Sequence, residues 1–191
     1  MLNLQRHPHS RSGWPWPVML AIVASGLLGA CSPALNWRET RPKDIDILLT
    51  FPCKPQQIAQ TVQLAGSMVK MSMTGCATDG MTFALAHADM KDPTKVRAAL
   101  AALHQAAVRN VAGNVTQSQP ADVAHATRGL ADALDLKIVG QAPTGQPLRE
   151  RVVLFAQGTQ VFQATTFAGS SQYKDEAAQT FANSIRLPDG G

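Results

Sequence analysis

The sequence predicts an α+β fold: an antiparallel sheet of about six strands with a long central helix and a C-terminal helix packed on it. Three observations point there. Short apolar runs with strand character recur from Ile45 to Ala88, punctuated by Gly66, Gly75 and the Asp79-Gly80 pair of a tight hairpin turn. One stretch with helical spacing, Val96, Leu100, Leu103, Ala107 and Val111, sits mid-chain. The chain then closes with a hairpin and a second helix, and one strand of that hairpin is apolar on both faces. Such a strand needs a covering layer on each side.

The first thirty residues stand apart from this fold. Arg6 and Arg11 make a positive start, and Pro17 to Leu28 contains an apolar run too short to span a bilayer comfortably. The run ends in Leu28-Gly29-Ala30-Cys31. A Leu and two small residues directly before a Cys resemble the lipobox of bacterial lipoproteins, which implies that Cys31 is acylated and becomes the first residue of the mature chain. An ordinary signal peptide with a nearby Cys, or a transmembrane anchor, are the competing readings. Ser32, where Asp would argue otherwise, favours sorting to the outer membrane by the same resemblance, with the domain facing the periplasm.

Cleavage before Cys31 leaves residues 31–191, enough for one domain with a real core. It also removes Arg6 and Arg11, leaving 15 cations against 13 carboxylates, so the net charge falls from +4 to +2. Nucleic acid thereby loses its main support as a partner. A composition of 45% hydrophobic and 16% charged residues is that of a globular domain rather than a disordered chain.

Residues 31–43 read as lipid anchor and tether, with prolines, mixed charge and no periodicity. Trp37 suits either the membrane interface or docking on the domain. The domain itself is expected over 44–188. Ile45, Ile47, Leu49 and Phe51 share one face of a first strand, ended by Pro52. Ile58 to Leu64, Ser67 to Thr74 and Met81 to Ala88 follow as a meander. Asp92-Pro93 opens the long helix, Asp as N-cap and Pro at its first position, and Gly113 stops it. Asn114 to Gly129 is polar and reads as a loop with at most a short helical turn. Leu134 to Val139 is another strand. The closing hairpin pairs Arg149–Ala156 with Gln160–Phe167 around Gly158, and Lys174 to Leu187 carries Ala177, Ala178, Phe181, Ala182 and Ile185 at helical spacing.

Leu49-Thr50-Phe51-Pro52-Cys53-Lys54-Pro55, the mid-chain helix, Phe155 to Ala164 and Phe181-Ala182-Asn183-Ser184-Ile185 resemble, in that order, a PsbP-like α/β/α domain of small bacterial lipoproteins of unknown function. The resemblance spans most of the region from Asp44 to Pro188. It departs at Cys53, where Gly would be expected. It implies a fold and a binding or assembly role, and carries no catalytic residue.

The chemistry-bearing residues point the same way. Cys53 and Cys76 are the thiols left after lipidation, and an even pair in an oxidising compartment is expected as a disulfide. A metal or redox pair is the alternative, without Cys-x-x-Cys spacing to support it. Met68, Met71, Met73, Met81 and Met90 cluster near His87, a donor set suited to Cu(I). Core filling is the plainer account, since Met71 and Met73 share a strand face with Val69. His87, His104 and His125 form no metal-ligand spacing, and no nucleophile elbow is present. Asp44 and Asp46 alternate along the first strand as solvating groups. The expectation is therefore a lipid-anchored periplasmic protein for binding or envelope assembly, with no catalytic, metal or cofactor residues. Its partners would be the membrane through its lipid and an envelope protein or small ligand. A small periplasmic enzyme and a copper-handling protein are the alternatives.

Overall fold

The computed structural model describes residues 35–189. The expected signal segment, lipobox and Cys31 lie outside them. Seven strands form one sheet: β3 (Gln56–Leu64), β4 (Ser67–Thr78), β5 (Met81–Asp89), β6 (Asn114–Pro120), β7 (Leu134–Gln141), β8 (Pro147–Gln157) and β9 (Gln160–Gly169). Their spatial order is β3-β4-β5-β9-β8-β7-β6, and all neighbours are antiparallel. Two short strands, β1 (Arg38–Thr40) and β2 (Leu49–Phe51), pair in a separate ribbon.

Helices cover both faces. Helix α1 (Val96–Asn110) buries Val96, Ala99, Leu100, Leu103 and Ala107, the stripe its spacing predicts, against Leu136, Ile138, Val152, Leu154 and Val161. Its start is the expected one: the Asp92 carboxylate accepts from the Thr94 N–H at 2.9 Å, and a single 3-10 turn, Pro93–Lys95, leads in. Helix α2 (Asp175–Asn183) and the ribbon cover the other face, where Ile47, Leu49, Phe51, Phe83, Phe155 and Phe181 are fully or almost fully buried. Phe181 packs its ring 5.2 Å from that of Phe51 and 5.6 Å from that of Phe83. Strand β8 is buried from Glu150 to Ala156 on both faces, with β9 and β7 at its sides, which is the interior position its double apolarity requires.

Four expectations need correction. The sheet has seven strands rather than about six, because β6 occupies the start of the expected loop. Every residue of β6 is exposed, so it carries no apolar alternation, and its conformation is imposed by the ladder to β7. The first strand is shorter than expected and lies outside the main sheet. Ile47, Leu49 and Phe51 face the core as the period of two predicts, but only 49–51 is ladder-bonded. The tether is also structured in part: β1 pairs with β2, and Trp37 docks edge-on to Phe83 with ring centres 5.9 Å apart. The mid-chain helix is of 15 residues and the closing helix of nine, both shorter than the apolar patterns that announced them.

A buried ion pair knits the layers on the α2 side. Arg151 donates to both Asp135 oxygens at 2.9 and 2.7 Å and to Gln179 at 2.8 Å, and Gln119 also donates to Asp135 at 3.1 Å. That guanidinium joins β8, β7 and α2, and the Asp135 hydrogen bond raises its pKa further above the ordinary arginine value. The Cys53–Cys76 disulfide, with Cα atoms 6.0 Å apart, ties the turn after β2 to β4. Among the described residues no helix is long and apolar enough to cross a membrane.

Candidate functional site

A strand places alternate side chains on one face, and on β3, β4 and β5 the α2-side face changes character along its length. Near the disulfide it is apolar, with Phe83 and Leu85. Further along it turns polar, with Thr74, Ser72 and Lys70 on β4 and His87 on β5. Ser72 and His87 are cross-strand partners, and Phe162 follows His87 in the same row on β9. Helix α2 and the ribbon cover the apolar part. Among the described residues, the segment 41–45 lies over the polar part and lines the clefts there.

Two side chains pin that roof. Gln57 accepts from the Lys43 N–H at 3.1 Å and donates to the Lys43 carbonyl at 3.3 Å. Asp44, at φ 68°, sits 3.7 Å from the Lys70 ammonium. Between roof and sheet lie two clefts that share Asp44 and Ser72. One, of about 490 Å³, is lined by His87, Ser72, Lys70, Asp89, Lys91 and Lys95 among others. Its neighbour, of about 510 Å³, is lined by Arg41, Lys43, Gln57, Ser72 and Thr74 among others.

The floor is polar and incompletely satisfied. Ser72 and Thr74 are each 3% exposed and His87 8%. Neither the Thr74 hydroxyl oxygen nor His87 Nδ1 has a hydrogen-bond partner, although both atoms are buried. Burial lowers the His87 pKa; the Asp44 charge opposes the shift and Lys70 adds to it. The imidazole is therefore neutral at neutral pH.

The walls carry more cations than carboxylates: Arg41, Lys43, Lys70, Lys91 and Lys95 against Asp44 and Asp89. Asp89 is committed to structure. It accepts from the Lys91 N–H at 2.9 Å and the Thr159 hydroxyl at 2.7 Å, bonds that hold its pKa below the usual carboxylate value. Lys95 donates to the Ser67 hydroxyl at 2.9 Å. The cleft is thus rich in hydrogen-bond donors and suits a small anionic or acceptor-rich ligand. Ser72 and His87, cross-strand neighbours, share no hydrogen bond in this structure, and His87 Nδ1 has no partner.

The other sequence candidates scatter. His104 lies on α1, across the sheet from His87, and His125 sits at φ 63° with Nε2 3.1 Å from an exposed Asp189 carboxylate. Met81 is buried in the α2-side core and Met90 in the α1-side core, while Met68 is 69% and Met73 39% exposed. Core filling thus accounts for Met81 and Met90 but not for Met68 or Met73. Asp46 bonds Arg41 at 2.8 Å at the surface, and Asp44 belongs to the cleft roof rather than to a solvated strand face. Among the described residues, no three His, Cys, Asp or Glu side chains gather where they could hold a metal ion.

One titratable group escaped sequence reading. Glu150 on β8 is 7% exposed on the α1-side face, between Ile138 and Phe167 on the neighbouring strands, and its Oε2 has no partner. Burial pushes its pKa up to about 7. The alternation Leu148, Glu150, Val152, Leu154 placed it on a core face and was the available signal.

No family model matches the chain, and no curated protein matches it. It is similar in structure to a Pseudomonas aeruginosa protein of unknown function, at 13% sequence identity and a TM-score of 0.43, over 81% of this chain and 99% of that one.

Proposed function

We propose that the protein is a lipid-anchored periplasmic binding protein without catalytic activity, and that the clefts under the segment 41–45 hold its ligand. The observation that carries this reading is the pair of buried atoms, Thr74 Oγ1 and His87 Nδ1, left unpartnered at the floor of that space. Each such atom costs about 1–3 kcal/mol, more than a structural role without a ligand or solvent partner would return. The cation excess around them selects an anionic ligand. The lipobox ending at Cys31 supports outer-membrane anchoring facing the periplasm, and the PsbP-like resemblance supports a binding or assembly role.

Calorimetric titration of the full chain with inorganic phosphate, citrate and glucose tests the proposal. Phosphate or citrate should bind and glucose should not, and Lys70→Ala should weaken the anion. Equal responses to all three, or none to any, would remove it. A copper-handling reading has one specific observation in its favour: Met68, Met90 and His87 line the same cleft. Tight Cu(I) binding lost in His87→Ala, with no anion response, would replace the anion reading with that one.

A further inference from the structure

The two edges of the main sheet are built differently. Strand β6 is protected: its register slips between Val115 and Gln117, the Thr116 hydroxyl folds back to the Lys137 carbonyl, and the strand ends in Pro120. Irregularity and proline are how proteins keep an edge from pairing. Strand β3 has none of these devices. Its nine residues, Gln-Gln-Ile-Ala-Gln-Thr-Val-Gln-Leu, contain no charge and no proline, and they run in unbroken register with β4 from Gln56↔Gly75 to Leu64↔Ser67. Its outward backbone N–H and C=O groups have no partner among the described residues.

The side chains of that edge are self-complementary. Ile58, Gln60 and Val62 share the α1-side face, spaced by two. Ile58 is 64% exposed, and its cross-strand neighbour Met73 is 39% exposed, so an apolar strip reaches the sheet edge uncovered. An antiparallel pair of β3 strands centred on Gln60 would set Ile58 of each copy opposite Val62 of the other, and Gln60 opposite itself. No charge would meet a like charge, and both apolar residues would gain a cross-strand partner. The roof segment 41–45 is held by the Gln57 side chain and makes no backbone hydrogen bond to β3.

We propose that β3 is a homodimerisation edge: two copies of this chain join β3 to β3 about a two-fold axis at Gln60, forming one continuous sheet. A second copy is favoured over another strand because the edge is matched to its own reversed sequence. The α1-side face of the joined sheet would carry two apolar rows, each running from Met73 of one copy through its Ile58 and the other copy's Val62 to that copy's Val69.

The test uses the full chain in detergent. Light scattering should give the mass of two chains. Gln60 is exposed, so Gln60→Lys leaves the fold intact and sets two ammonium groups face to face; dimer affinity should fall by at least ~10-fold. Gln60→Cys should cross-link copies on mild oxidation, where wild type and Gln117→Cys on β6 do not. A monomeric wild type, a dimer indifferent to Gln60→Lys, or cross-linking at residue 117 but not 60 would each overturn the proposal.

Discussion

Glu150→Gln should make the protein more stable at neutral and alkaline pH, and by an amount that depends on pH. The buried carboxyl titrates near 7 in place of 4.5, so it is protonated in the fold where an unfolded chain would have released the proton. Between those values the folded state binds more protons, and stability falls as pH rises. The favourable contribution is complete below about 4.5 and lost as pH passes through about 7, a change of about 3 kcal/mol. Glutamine keeps the shape and cannot ionise. Urea denaturation of wild type and variant at about pH 5 and about pH 8.5 should show the variant's relative stability rising by about 2–3 kcal/mol between the two. Subtracting the two curves removes the contribution of Asp89 and Asp92, whose lowered pKa values act in the opposite sense at acid pH. Parallel profiles would mean that Glu150 is solvated or paired, and would refute the burial argument.

Phe181→Ala should cost about 3–5 kcal/mol in the same assay, since the ring is 1% exposed between Phe51 and Phe83; a loss below ~1 kcal/mol would mean α2 is not docked. Reducing Cys53–Cys76, which closes a loop with a sequence separation of 23, should destabilise the domain by about 3 kcal/mol in the chain-entropy model, and thiol counting of the denatured, unreduced chain should find neither Cys free. Metabolic labelling with a fatty-acid analogue should tag the wild type and not Cys31→Ser; equal labelling would end the lipoprotein proposal.

Much of the architecture was legible because burial writes itself into spacing. The α1 stripe, the two-faced β8 and the Asp79-Gly80 turn, with φ values of 51° and 73°, all follow from local pattern. Strand β6 was not legible. All its side chains meet solvent, so only its pairing partner, distant in sequence, makes it a strand. The same holds for β1, three residues whose conformation depends on Phe51 and its neighbours. The site was less visible still. Ser72, Thr74 and His87 lie on two strands and converge by register, and the roof that makes a cleft of them came from residues read as tether and first strand. Their separate sequence contexts hold no motif. Cys53 and Cys76 could be paired by compartment and count alone, although the geometry that joins them, a separate ribbon laid over the sheet, differs from two strands of one sheet.

Nitrogen NMR of the full chain with labelled histidine probes the cleft floor directly. His87 should be neutral at neutral pH and should titrate below 6.5, in keeping with its burial. Its ring signals should move on addition of inorganic phosphate or citrate while those of His104 and His125 stay in place. A His87 that titrates at or above 6.5 and ignores both anions would rule out an anion site above it.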